Sequence, residues 1–149
     1  MVTWAEFEAA DPDSTAEGQR LLYARGDGEA LLATVRGGDP PRIHPINAGI
    51  VNGEVYAFLL RSPKRTDLEH DGRYALHTHQ DPADPGEFTI RGRARLVTDG
   101  ATREAVGAAW FFGVDATYHL FAFSIETALV ARRGVDEWPP RYTRWDSRS

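Results

Sequence analysis

Residues 42–68 read RIHPINAGIVNGEVYAFLLRSPKRTDL, and the fold turns on them. Asn52-Gly53 divides two strand-like runs, Arg42 to Val51 and Glu54 to Leu60. Both turn positions tolerate positive φ, so the pair predicts a hairpin joining antiparallel strands. Register matters here, because a slip of one residue exchanges the two faces of a strand. Ser62-Pro63 then predicts a helix start, with Ser as N-cap and Pro at the first helical position, where its missing N–H removes nothing. That helix runs from Ser62 to His70 and stops at Asp71-Gly72.

Upstream, Ala30 to Arg36 reads as a strand, followed by the turn-rich loop Gly37-Gly38-Asp39-Pro40-Pro41. Ser14 and Glu17 form a capping-box pattern for a helix to about Ala24, closed by Gly26 and Gly28. Downstream, Arg73 to Thr78 is a strand and Gln80 to Gly86 a loop with two prolines. Glu87 to Val97 has the clearest period of two. Phe88, Ile90, Gly92, Ala94 and Leu96 share one face, and Thr89, Arg91, Arg93 and Arg95 the other. Asp99-Gly100 opens a helix through Phe112, with Ala101, Ala105, Ala108 and Phe112 on one face, and Tyr118 to Arg132 is the last long strand. Six strands and three helices with mostly short connections predict a mostly β fold: an antiparallel six-stranded barrel with peripheral helices. Residues 1–149 read as one domain, with residues 1–28 as an N-terminal helical segment and 134–149 as an aromatic tail.

Composition narrows the function. Apolar residues make up 42% of the chain and charged residues 26%, so it can bury a core. Seventeen basic against twenty-two acidic side chains give a net charge of −5, which disfavours nucleic acid as a partner. There is no cysteine, which excludes disulfides, thiol catalysis and cysteine-ligated metals. The longest apolar stretch, Ala105 to Val114, falls short of the ~20 residues that cross a bilayer. The start lacks the order of a signal peptide. The expectation is a cytoplasmic chain with no membrane partner.

The chemistry concentrates after the hairpin. Lys64 and Arg65 follow Ser62-Pro63 in the first helical turn, where cations oppose the helix dipole. A bound phosphate would reverse the sign of that penalty. Free N–H groups, the Ser62 hydroxyl, the Lys64 ammonium and the Arg65 guanidinium would converge on one dianion. A solvated turn with snorkelling cations is the competing reading. Counting back from the turn places Arg42 near the level of Arg61 and Ser62, within reach of the same anion; otherwise it is a loop-edge charge. His77 and His79 would share a strand face, yet no third metal ligand is visible, so no metal site is expected. The Arg91, Arg93 and Arg95 ladder reads as solvated or paired charge.

From Leu31 to Thr78 the chain resembles the pyridoxamine 5'-phosphate oxidase-like, FMN-binding split barrels. The resemblance rests on Arg42-Ile43-His44-Pro45 after a Gly/Pro loop, the hairpin, Ser62-x-Lys64 with Leu68 behind it, and Gly92-x-Ala94. It implies a split β-barrel homodimer with FMN in a groove at the interface. Ser62 and Lys64 would hold the FMN phosphate, helped by Arg42. Ile43, His44 and Pro45 would border the isoalloxazine ring, and Asn47 with Phe58 and Leu59 would line the groove. The implied activity is an FMN-dependent oxidoreductase acting on a small molecule or NAD(P)H, its substrate and catalytic residues unknown. A deazaflavin-dependent reductase and a non-catalytic flavin- or haem-binding module are the alternatives, with His119 as a candidate haem ligand. Asn47 stands where true pyridoxamine-phosphate oxidases carry lysine, Pro63 replaces a basic residue, and Trp138 to Trp145 lacks their Arg-x-His substrate signature. These departures set the chain apart from those enzymes. Trp138, Tyr142 and Trp145 are expected to cover a partner subunit, roof the groove or pack on their own barrel.

Overall fold

Asn52 and Gly53 take φ of 48° and 78° and close the hairpin between β3 (Gly49–Val51) and β4 (Glu54–Leu59). The computed structural model describes residues 1–149. The expected strand Arg42 to Val51 is broken at Ala48, so β2 (Arg42–Asn47) and β3 are separate. The break has a local cause. The Ala48 side chain is fully buried, and its N–H donates to Gly28 O at 2.8 Å. Gly28 has φ of 69°, and a Cβ there would stand 1.9 Å from Ala48 O. The chain therefore leaves one ladder and enters another within a single residue.

β2 pairs with β1 (Glu29–Thr34), which pairs with β5 (Arg73–Thr78). β5 pairs with β6 (Glu87–Leu96), β6 with β7 (His119–Arg132), and β7 with β4. The order β2-β1-β5-β6-β7-β4-β3 puts the two halves of one extended segment at opposite ends of the sheet. The sheet must curl to bring them together at Ala48. The result is an antiparallel, mostly β split barrel whose sheet ends at β2 on one side and at β3 on the other.

There are eight strands, not six. Besides the break at Ala48, Arg141–Asp146 of the aromatic tail forms β8 against β7. Arg141 to Arg144 are all exposed and two prolines precede them, so no burial pattern announces this edge strand. Its Trp145 packs on its own barrel, 4.5 Å from the Phe7 ring, whereas Trp138 and Tyr142 stay exposed.

The helices differ from expectation in four places. α1 (Trp4–Ala10) is an additional helix, capped by a reciprocal pair: Glu6 N–H donates to Thr3 Oγ1 and Thr3 N–H to a Glu6 carboxylate oxygen. α2 starts at Pro12 and ends at Leu22. Its N-cap is Asp11, which accepts from Ser14 N–H at 3.1 Å, so Ser14 lies inside the helix and the Ser14–Glu17 box does not form. α3 (Pro63–His70) follows β4 as expected. α4 (Gly100–Ala108) stops four residues before Phe112. Trp110 leaves the helix to pack edge-on against Phe58, at 5.1 Å. Ala101, Ala105 and Ala108 face outward, and Val106 is the side chain that α4 buries.

β4 is apolar on both faces because both are covered. Val55, Ala57 and Leu59 join the barrel core, while Tyr56 and Phe58 meet Val106, Leu120 and Ala122 beneath α4. Across β7 the inward residues are Phe121, Phe123 and Ile125, then Ala128 and Val130. The change of parity marks a bulge at Glu126, opposite the Arg91/Gly92 step. Below it β7 pairs with β4, and above it with β8. Gly92 makes the bulge possible, since a Cβ there would stand 2.0 Å from Ser124 O. Gly92→Ala is therefore expected to destabilise the protein by at least about 1–3 kcal/mol, the range for overpacking, as read by the midpoint of urea denaturation.

Candidate functional site

Ser62 has extended backbone and caps α3: its Oγ accepts from Arg65 N–H at 3.4 Å, and its carbonyl accepts from Thr66 N–H and Thr66 Oγ1. Pro63 has no N–H. The Lys64 N–H is thus the first-turn donor left for a ligand.

Asp67 sits one turn on and is only 2% exposed. It accepts from Thr34 Oγ1 at 2.9 Å and from Arg42 Nε at 3.0 Å. It therefore ties α3 to both strands of the β1–β2 hairpin and pulls Arg42 toward Ser62. Arg42, Ser62 and Asp67 line an open concavity of about 500 Å³ together with Arg36, Arg61, Pro63 and Thr66. Three guanidiniums face one carboxylate there, and neither Arg36 nor Arg61 has an acidic partner. No motif marks those two arginines. Arg61 abuts the N-cap, and Arg36 lies two residues beyond the Thr34–Arg42 pair that ends the β1–β2 ladder.

β2 divides the remaining residues between two faces. His44 lies opposite the buried Leu32, and Arg42 opposite the buried Thr34, so both point toward the barrel. The His44 Nε2 is enclosed and has no hydrogen-bond partner. Burial first, then the charges of Lys64 and Arg42, hold the His44 pKa below its ordinary value against the opposing pull of Asp67. Ile43, Pro45 and Asn47 point outward. Ile43 is 69% exposed, and Pro45 lies beside Leu31 across the ladder. The Asn47 amide donates to Asp27 O at 2.7 Å, on the wall of a separate concavity that Pro45, Leu31 and His79 share.

Three expected site residues are engaged elsewhere. The Arg65 guanidinium donates to the carbonyls of Thr117 (3.0 Å) and Leu59 (3.4 Å) and pairs with Glu69, so it anchors α3 to β4 and the start of β7. Phe58 and Leu59 are buried, Phe58 under Trp110 with the Arg103 guanidinium 5.3 Å from its ring centroid. His119 pairs with Glu69 at 2.9 Å, and His77 with Glu87 at 3.2 Å. In the arginine ladder, Arg95 pairs with Glu54, whereas Arg91 meets only the Thr127 hydroxyl.

No family model and no curated protein sequence matches the chain. Solved structures do. One is a protein of Clostridium acetobutylicum described as related to general stress protein 26 and of the pyridoxinephosphate oxidase family (13% identity, 91% of this chain and 97% of that one, TM-score 0.65). Another is a putative pyridoxamine 5'-phosphate oxidase of Listeria innocua (18% identity, 77% and 97%, TM-score 0.60). A third is a heme binding protein of Mycobacterium smegmatis (17% identity, 88% of this chain, TM-score 0.62), of whose length this chain spans 57%. The chain therefore has the pyridoxamine 5'-phosphate oxidase-like split-barrel fold.

Two outcomes test the framework of the corner. Asp67→Ala strands the buried Thr34 hydroxyl and is expected to lose about 1–3 kcal/mol in chemical denaturation; Arg42, 48% exposed, re-solvates and contributes little to that loss. Asp71 braces the neighbouring β1–β2 loop. It accepts from Arg73 and from Gly37 N–H, and those bonds, Arg73's foremost, hold its carboxyl below the usual range. A carboxylate depressed by folding stabilises the native state above its ordinary pKa, and that contribution fades as pH falls through the depressed value. Thermal melts should show Asp71→Asn below the wild type at pH 7, with the two curves converging toward pH 2.

Proposed function

We propose that this chain is an FMN-binding flavoprotein, acting as an FMN-dependent oxidoreductase on a small molecule or NAD(P)H. The observation that carries the reading is the corner at the start of α3, where three guanidiniums oppose one carboxylate; the backbone N–H of Lys64, on the first turn of the same helix, has no partner. A phosphate monoester fits that donor set. The three solved neighbours described above, a putative pyridoxamine 5'-phosphate oxidase, a protein of the pyridoxinephosphate oxidase family and a heme binding protein, lend support at the level of the fold.

In this reading Ser62, Arg61 and Arg42 hold the phosphate, while Lys64 adds positive charge from the His44 side. His44, its pKa lowered first by burial and then by the charges of Lys64 and Arg42, lies beside those cations on the inner face of β2. FMN supplies the redox chemistry when bound; the chain supplies orientation and electrostatics. Ile43, Pro45 and Leu31 form an outward apolar strip on the β1–β2 ladder. A second copy covering that strip would turn the edge of β2 into a closed groove, hence a homodimer. A deazaflavin with a phosphate-bearing tail would satisfy the same corner. A haem would make no use of that corner.

The visible spectrum of the protein loaded with FMN, and its bleaching by NADPH or NADH without oxygen, tests the reading. Arg61→Ala and Lys64→Ala are each expected to weaken FMN binding by about 1–3 kcal/mol, the scale of hydrogen bonds to charged groups, in a fluorescence titration. An unchanged affinity in Arg61→Ala removes the corner from the site. A spectrum dominated by haem, with no flavin uptake, overturns the assignment.

A further inference from the structure

The bulge at Glu126 has a second product. Above it, the outward side chains of β6, β7 and β8 fall into two rungs that run across three strands. Thr89 lies beside Leu129, and Leu129 beside Arg144. Two residues along, Arg91 lies beside Thr127, and Thr127 beside Asp146. These six side chains line an open cleft of about 590 Å³. Ser62 follows the Leu59–His119 end of the β4–β7 ladder, and Leu129 lies ten residues further along β7, roughly 30 Å at the rise of a strand, so the cleft is separate from the corner at Ser62.

The charges in the cleft do not cancel. Arg91 gives its Nε–H to Thr127 Oγ1 at 3.2 Å, which leaves both terminal nitrogens of its guanidinium without a partner. Arg144 has no acidic partner and lies with its guanidinium carbon 5.4 Å from the centroid of the exposed Tyr142 ring. The one acidic side chain among the lining residues, Asp146, is already claimed. Arg148 grips it through Nε at 3.2 Å and Nη2 at 3.0 Å, and its own N–H adds a third bond at 2.8 Å. Two guanidiniums thus stand diagonally across the cleft, on β6 and β8, with Leu129 of the central strand as an apolar floor and the Thr127 hydroxyl beside it. Guanidinium pairs of this kind favour planar or tetrahedral oxyanions.

We propose that this cleft binds a small organic anion, its carboxylate or phosphate group taken between Arg91 and Arg144 and its apolar body lying on Leu129. The site is built from this chain alone. It rests on none of the residues assigned to FMN, so the two readings stand or fall separately.

Amide NMR titration of the full chain, without FMN, with sodium benzoate in one arm and inorganic phosphate in the other, tests this. Benzoate is expected to shift the amides of Thr89, Arg91, Thr127, Leu129 and Arg144 in a saturable way, and rising salt to weaken it. Phosphate, with no apolar body, should shift the same amides at higher concentration. Arg91→Gln combined with Arg144→Gln is expected to weaken benzoate about tenfold or more while leaving the melting temperature in place, because both side chains are exposed. The wild-type shift map also stands by itself should the double variant fold poorly. Benzoate shifts confined to Ser62 and Thr66, phosphate binding as tightly as benzoate, or a folded double variant with wild-type affinity would each overturn the proposal.

Discussion

The Asp67 carboxylate is the contact on which the geometry of the corner depends. It comes from a helix, lies almost wholly out of water, and is met by one hydroxyl from β1 and one guanidinium from β2. A buried carboxylate is tolerated only with such partners. Its position therefore dictates theirs: Thr34 must face inward at the last rung of the ladder, and Arg42 must lean toward α3. Arg42 is half in water, so the attraction between the two charges is modest. The value of the contact lies in placement. It sets Arg42 beside Ser62 and leaves Arg36 and Arg61 with no acid of their own.

A second constraint is the demand placed on β7. One strand serves β6 along its whole length, β4 on its first half and β8 on its second. An uninterrupted period of two could not keep apolar groups inward against both neighbours, and the extra residue at Glu126 resets the phase. Phe121, Phe123 and Ile125 then face the core on one side of the step, and Ala128 and Val130 on the other. The same reset turns Thr127 and Leu129 outward, which is how the cleft beside β8 comes to exist.

What was legible in the sequence followed local chemistry. Asn52-Gly53, the Ser62-Pro63 helix start and the alternation of Glu87 to Ala94 are each decided within a few residues, and the structure has all three. What was hidden depended on distant partners. Ala48 looks like one more residue of a strand until Gly28 comes close enough to end it. Arg141 to Asp146 has no buried stripe, and its strand exists because β7 has a vacant edge. The nearness of Arg42 to Ser62 was readable by counting from the turn, yet the route differs: Arg42 pairs across to β1 and is drawn in by Asp67. Arg65 shares a helical turn with Lys64, but the carbonyls of Leu59 and Thr117, one of them far along the chain, claim it.

The place of β7 in the chain order bears on how the molecule is made. β4 is apolar on both faces, and until β7 arrives its ladder partner is the three-residue β3 alone. Val2 bridges to Ile125, so even the first residues have their seat on a strand that is translated late. On the ribosome, the Val55–Leu59 segment must wait for residues beyond 119 to clear the exit tunnel. During that interval it is a β-prone segment with no charge of its own to deter pairing with a neighbouring nascent chain. Chaperone occupancy during synthesis should concentrate there.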